Sequence, residues 1–150
     1  MKIISKNKIA YRDYSFEKNY ELGIVLLWHE VKSIKMWQVN IRDAIVRIQN
    51  RELWVKNMDI PLYKKTSPIL APGYQAKRDR KLLVKKRELA KISALTDKSG
   101  NTIIPLKIYL NHKWFIKLEV GIGKLMRKIE KKQILKEKDI KREMDREIRS

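Results

Sequence analysis

The chain has 150 residues, no cysteine, and 36 lysines and arginines against 17 acids, a formal net charge of +19. One domain's worth of chain with an ordinary 43% apolar share can bury a core without staples, and the lack of cysteine excludes disulfides and thiolate metal sites. So large a positive excess destabilises a compact state unless a polyanion is near, which narrows the partners to nucleic acid or an anionic membrane; charge spread through the whole chain, without a strongly amphipathic membrane-surface helix, favours nucleic acid.

The first eight residues carry Lys2, Lys6 and Lys8 but no apolar run of signal-peptide length. The longest apolar run, Gly23 to Trp28, is too short to cross a bilayer, so a soluble, cytoplasmic protein with no membrane partner is expected. Residues 1–7 read as a short basic arm. From Lys8 to Tyr20 the recurrence of Ile9, Tyr11, Tyr14, Phe16 and Tyr20 among polar residues suggests extended chain on a barrel edge. Glu21 to Trp28, E-L-G-I-V-L-L-W, reads as a strand buried on both faces. In Glu30 to Lys35, Val31 and Ile34 lie three apart with Lys32 and Lys35 opposite, the spacing of a short helix.

Ala44 to Gln49 and Glu52 to Met58 are strand-like runs joined at Asn50 and Arg51, a two-residue hairpin that sets Val46 and Ile48 against Leu53 and Val55. Pro61 to Gly73, with Pro68 and Pro72 between, cannot be regular structure and reads as a long surface loop. Next comes the most basic stretch, Lys77 to Glu88, in which two basic clusters flank Leu82, Leu83 and Val84. A helix over about 74–84 would put Lys77, Lys81 and Lys85 on one face at i, i+4 and i+8, with Leu82 and Leu83 dipping toward a core. A second helix, about Lys86 to Asp97, carries the stripe Leu89, Ile92, Leu95 and ends at Ser99 and Gly100.

Two strands close the body. Ile104, Leu106, Ile108 and Leu110 alternate with Pro105, Lys107 and Tyr109; after a turn at Asn111 to Lys113, Ile116, Leu118, Val120 and Ile122 alternate in the same way up to Gly123. Lys124 to Ser150 has no proline, no aromatic residue and only the thin apolar stripe Ile140, Met144, Ile148. Such a segment is disordered when alone and helical against a charged partner. The sum is a mainly β chain with some α structure: an oligonucleotide-binding-type antiparallel β-barrel with about three short helices over residues 1–123, and a basic tail, disordered or helical, over 124–150.

Little here suits catalysis. His29, Glu30 and Ser33 have no triad spacing, His112 sits in a polar turn, and Gly121-Ile122-Gly123 ends a strand with no helix start to receive a phosphate. The expectation is no enzyme, no cofactor, no metal and no small-molecule substrate. Lys32, Arg78, Arg80, Lys81 and Lys85 are candidates for phosphate neutralisation by charge and placement. Tyr11, Tyr14, Tyr20, Trp28, Trp37, Trp54 and Trp114, interleaved with basic residues, are either stacking platforms or core.

Seven ordered pieces carry a resemblance: N-K-I-A-Y at Asn7 to Tyr11, E-L-G-I-V-L at Glu21 to Leu26, E-V-K-S at Glu30 to Ser33, E-L-W-V-K-N-M at Glu52 to Met58, R-D-R-K-L-L at Arg78 to Leu83, K-R-E-L at Lys86 to Leu89, and T-I-I-P-L-K-I-Y at Thr102 to Tyr109. In order and spacing, from about Asn7 to the end, the chain resembles the SsrA-binding protein family, small protein B. The resemblance implies a bacterial trans-translation factor that binds the tRNA-like part of transfer-messenger RNA and helps deliver it, charged and carried by elongation factor Tu, to stalled ribosomes for rescue and tagging. It implies a barrel that binds RNA, a tail that reaches into the decoding centre, and no bond made or broken. Asn7, Glu21, Leu83 and Lys117 match positions that family uses for RNA binding, Glu21 by hydrogen bonding and Leu83 by shaping the surface. Lys124, Arg127, Lys128, Lys131 and Lys132 are the corresponding ribosome-contacting tail residues. The chain departs from the family at Trp28 or His29, at Trp37, and in the tail, where the usual G-K-K-x-x-D-K-R is L-M-R-K-I-E-K-K. A ribosome-associated structural protein with the same barrel, binding ribosomal RNA, is the alternative.

Overall fold

Seven strands form one antiparallel sheet in the order β1-β6-β7-β2-β5-β4-β3: β1 Lys2–Lys6, β2 Tyr14–Ile24, β3 Ile45–Gln49, β4 Glu52–Lys56, β5 Arg80–Leu83, β6 Thr102–Leu110 and β7 Ile116–Leu125. Four helices accompany them: α1 Lys8–Asp13, α2 Trp28–Lys35, α3 Lys86–Thr96 and α4 Lys128–Arg149. This computed structural model describes all residues but 68, 127 and 150, and all side chains but those and the ones of residues 128–131, 133, 134 and 147–149.

The expected barrel is left open. β3 comes alongside β6, yet no ladder joins them among the described residues. The reason lies in the first residues, read above as a basic arm. Lys2–Lys6 is a strand that pairs with the β6 edge from Lys107 to Leu110 and so occupies the hydrogen-bonding groups a closing strand would need. Over the rest of β6, Thr102 and Ile103 face Val46, Arg47 and Ile48 across a gap of about 250 Å3.

One face of the sheet makes the core. Leu22, Val46, Leu53, Val55, Leu82, Ile108, Leu118, Val120 and Ile122 pack together, capped by Ile34 of α2 and Ile92 of α3. The alternation expected for β7 is observed; that for β6 is not, because the register shifts between Pro105 and Lys107. Ile103, and not Ile104, joins the core, while Leu106 packs outside the main cluster. A matching shift in β2 lies between Phe16 and Lys18. Gly121 is where these irregularities meet: a Cβ there would stand 2.7 Å from the Phe16 ring and 2.9 Å from Leu106. The glycine pair of β7 thus serves packing, as bulged strands require.

Three further expectations are corrected. Lys8 to Tyr20 is not extended chain on an edge: Lys8–Asp13 is α1, and β2, which begins at Tyr14, lies between β7 and β5. The run Glu21 to Trp28 is not a strand buried on both faces: β2 ends at Ile24, Leu22 alone of its final residues is fully buried, Val25 and Leu27 are exposed, and Trp28 begins α2. The basic stretch 74–84 is not a helix. Residues 74–79 are irregular and Arg80–Leu83 is β5, with Leu82 opposite both Leu53 and Ile24. Pairing on two sides outweighs local helix spacing, because a central strand satisfies its whole backbone and buries Leu82 at once. The β3–β4 hairpin is as expected, with Gln49 opposite Glu52 and both Asn50 and Arg51 at positive φ, the geometry of a type I′ turn. α2 and α3 lie where their stripes predicted, and the described residues of 61–73 are irregular. The tail forms α4, one of the two states expected of it, and its described side chains are exposed.

Candidate nucleic-acid interface

Because β2, β5 and β7 are neighbours, Gly23 is paired on one side with Leu83 and on the other with Lys117. Gly23 has no side chain, so Leu83 lies across it; a Cβ at Gly23 would stand 3.2 Å from Leu83 Cδ1. Leu83 is therefore presented outward, 55% exposed, at the centre of a groove of about 520 Å3. Glu21, Lys81, Lys85 and Lys117 line the same groove, together with Arg51 and Lys86. Five residues singled out from distant parts of the sequence are thus brought together. Strand alternation does this for Lys81 and Leu83, which share the outer face of β5, while the end of β5 places Lys85 as the N-cap of α3.

The charges of this groove are positioned by neighbours. Tyr109 donates its hydroxyl to Glu21 Oε2. Burial, then the hydrogen bond and charge of Glu21, push the Tyr109 phenol well above its usual range, so it remains a donor and fixes the carboxylate. Lys81 reaches Glu52 at 3.3 Å, a half-exposed pair of little stabilising value that a phosphate can replace. Lys85 and Lys117 have no ion-pair partner among the described residues. An apolar platform flanked by five cations and three carboxylates, Glu21, Glu52 and Glu88, the first of them oriented by Tyr109, can lie against a nucleic-acid backbone and hydrogen-bond a base or sugar beside it.

Arg80, expected to neutralise phosphate, is turned inward and fully buried. Its fork grips Glu30 Oε2 through Nε at 2.8 Å and Nη2 at 2.5 Å, and donates to the carbonyls of Met58 at 2.6 Å and Ala76 at 2.9 Å. Glu30, equally buried, also accepts from Arg78 Nε at 3.1 Å, from Arg78 Nη2, from the Leu27 amide at 2.8 Å and from the Tyr74 hydroxyl at 2.9 Å. Burial alone would raise the Glu30 carboxyl, but the bonds from Arg78, Leu27 and Arg80 prevail and hold it at about 2. Burial and the Glu30 carboxylate push the Tyr74 phenol up to about 12. The cluster clamps α2, the irregular 74–79 segment and β5 together. Its charge belongs to the fold.

Asn7 is likewise structural. It is buried, its Oδ1 caps α1 by accepting from the Ala10 amide at 3.1 Å, and its Nδ2 donates to the Pro105 carbonyl at 3.2 Å. Arg78 is partly exposed at the edge of the buried cluster, and Lys32 is exposed on α2; neither lines the groove. Lys124 is exposed near the end of β7, which runs past the expected boundary at residue 123. Lys132 is exposed on α4, Arg127 lies outside the described residues, and Lys128 and Lys131 belong to α4 with side chains outside the described ones. Sequence reasoning missed Arg51, Lys86 and Tyr109. The signal for Tyr109 was present, since alternation places it on the polar face with Lys107. Among the described residues, no three or more of His, Asp and Glu gather as metal ligands.

Comparison with known proteins adds an independent line. The family described as "SmpB protein" matches residues 4–150. The chain is 44% identical over 147 residues to the SsrA-binding protein of Coprothermobacter proteolyticus, covering 98% of this chain and 97% of that one. It is 42% identical over 149 residues to that of Persephonella marina, covering 99% and 95%, and 40% identical over 148 residues to that of Bacillus cereus, covering 99% and 93%. A chain from a solved structure described as "tmRNA-SmpB: a journey to the center of the bacterial ribosome" superposes with a TM-score of 0.65 at 32% identity, covering 87% of this chain and 93% of that one.

Proposed function

The chain belongs to the SmpB protein family, and from that premise we propose that it binds the tRNA-like part of transfer-messenger RNA and helps deliver that RNA to stalled ribosomes, for rescue and tagging of incomplete products. The observation that carries this reading is the groove, where Glu21, Lys81, Leu83, Lys85 and Lys117 form one surface on a rigid sheet. Cations held by strands meet phosphates without ordering the chain at the moment of binding, so their arrangement selects a folded RNA by shape. The protein makes and breaks no bond, takes no cofactor, and works in the cytoplasm; elongation factor Tu is reached only through the charged RNA. Residues 1–126 form the RNA-binding body. The remainder, with Arg127, Lys128, Lys131 and Lys132, is the ribosome-contacting tail, and Lys124, near the end of β7, lies in the body beside its root.

The test is affinity for the isolated tRNA-like domain and for a duplex of equal length, measured across a salt series. The tRNA-like domain should keep its preference as salt rises, because its shape-dependent contacts are not screened. Replacing Lys85 and Lys117 by alanine should flatten the salt slope by about 0.7 to 0.9 for each phosphate these lysines neutralise. Equal binding of both RNAs at every salt would favour a ribosome-associated structural protein instead.

A further inference from the structure

A second concave site lies away from the groove, and no residue lines both. Leu27, Trp28 and His29, at the start of α2, face Leu70 to Gln75 and Arg78 across a pocket of about 460 Å3. That volume, mostly apolar walls and a few polar groups are the features of a small-ligand site. Trp28 is 54% exposed beside it, a large ring left open where burial would have been favourable. Its ring meets His29 edge-on at 5.7 Å, and His29 meets Tyr74 edge-on at 4.6 Å, so the wall is a fixed aromatic series.

Two polar features make this more than an apolar dent. His29 is only 3% exposed, yet its Nδ1 has no hydrogen-bond partner among the described residues, a deficit that folded interiors avoid. Arg78 spends part of its donor fork on Glu30 and on the Asp79 carbonyl, and its side chain stays 29% exposed. Two guanidiniums share the one Glu30 carboxylate, so the cluster behind the pocket keeps a net positive charge. An aromatic plate beside a rigidly held, incompletely neutralised guanidinium suits a ligand that is flat and anionic.

We propose that this pocket takes one unpaired nucleotide of the bound RNA, its base stacked on Trp28 and its phosphate or a ring carbonyl on the open edge of Arg78. This rests on the RNA-binding reading above but uses none of the residues of the groove. Stacking on an aromatic ring accepts any base, so the site selects an unpaired position in a folded RNA and not a sequence. Its location next to α2 gives the RNA a second anchor point, separate from the phosphate contacts.

The experiment uses the full chain with 15N-labelled indoles, titrated with AMP, GMP, CMP and UMP, and the tRNA-like RNA carrying 2-aminopurine at each unpaired position in turn. Mononucleotides should move the Trp28 indole resonance and leave that of Trp54 in place. One 2-aminopurine position should be quenched on binding. Trp28→Ala should abolish that quenching and weaken RNA binding by about five- to a hundredfold, whereas Trp28→Phe should retain most of both. RNA binding that leaves the Trp28 resonance unmoved and is indifferent to Trp28→Ala overturns the pocket and leaves the groove standing. Failure of the RNA to bind at all defeats the groove reading instead, and the mononucleotide titration then still decides the pocket, movement supporting it and stillness overturning it. A proline-rich peptide that moves Trp28 where nucleotides do not would also overturn it.

Discussion

Glu30 shows how one side chain redirects charge that the sequence displays as surface. In K-R-D-R-K, Arg80 reads as a phosphate ligand; in the fold it is fully buried against Glu30, while its neighbour Lys81 faces the groove. Removing the carboxylate would strand the buried Arg80 guanidinium in the interior and free the partly exposed Arg78 beside it. Glu30→Gln should therefore cost about 3 to 5 kcal/mol at pH 7, measured by urea unfolding. The pH dependence follows from the depressed carboxyl. A group that loses its proton more readily when folded contributes stability that is fully present above its unfolded value of 4.5 and is lost as pH falls from there toward about 2. The gap between native protein and variant should shrink by roughly 3 kcal/mol across that window. A gap that is already below about 1 kcal/mol at pH 7 would show that the cluster does not hold α2 to β5.

At the level of elements, backbone approach decides what local pattern cannot. A Cβ on Gly123 would stand 1.9 Å from the Ser15 carbonyl oxygen and 2.7 Å from Phe16 Cα, both main-chain atoms of the paired strand β2. Gly123→Ala should thus force the β2–β7 ladder apart and cost at least about 3 kcal/mol. Gly73→Ala is the control. There φ is +68° but nothing lies within 4 Å, so only about 1 to 2 kcal/mol of backbone strain is expected. Thermal or urea denaturation that ranks the two the other way round would refute this account of the close approach. The same contrast explains what was legible beforehand. The β3–β4 hairpin, α2, α3 and the alternation of β7 are written in nearest neighbours, and a reader of the sequence finds them. β5 is four residues long, its charges fall at helical spacing, and what makes it a strand is Leu53 on one side and Ile24 on the other, far away in sequence. The bulge that turns the buried Leu106 away from the main cluster sets it beside Phe16 and Gly121, again a meeting that no local period announces. Helical spacing puts Lys81 and Lys85 on one face and turns Leu83 toward a core; in the fold all three share a surface for another reason, the exposed side of a strand and the cap that follows it.

For the whole molecule the question is which part of the charge serves which partner. β7 runs to Leu125, and the Met126 amide is tied to the Asp13 carbonyl at 2.8 Å, so the body is complete at residue 126. Residues 127–150 hold ten Lys and Arg against six Asp and Glu, and their removal leaves +15 of the +19. α4 keeps its described side chains exposed, including Leu135, Ile140 and Met144, and buries none of them in the core. Truncation after Met126 should therefore leave the thermal midpoint within a degree or two of the full chain. RNA affinity should fall only slightly, and mainly at low salt, where the lost net charge still acts at a distance. Tagging of stalled products should be abolished, because the body can hold the RNA but has nothing with which to probe the ribosome. An isolated helix with so thin an apolar stripe gains its stability from whatever it lies against, so in the free protein its amide hydrogens should exchange much faster than those of β6 and β7. Should the truncated chain still support tagging, the ribosome-facing function must reside in the body, and the exposed basic residues outside the groove, Lys32 among them, become the next to replace.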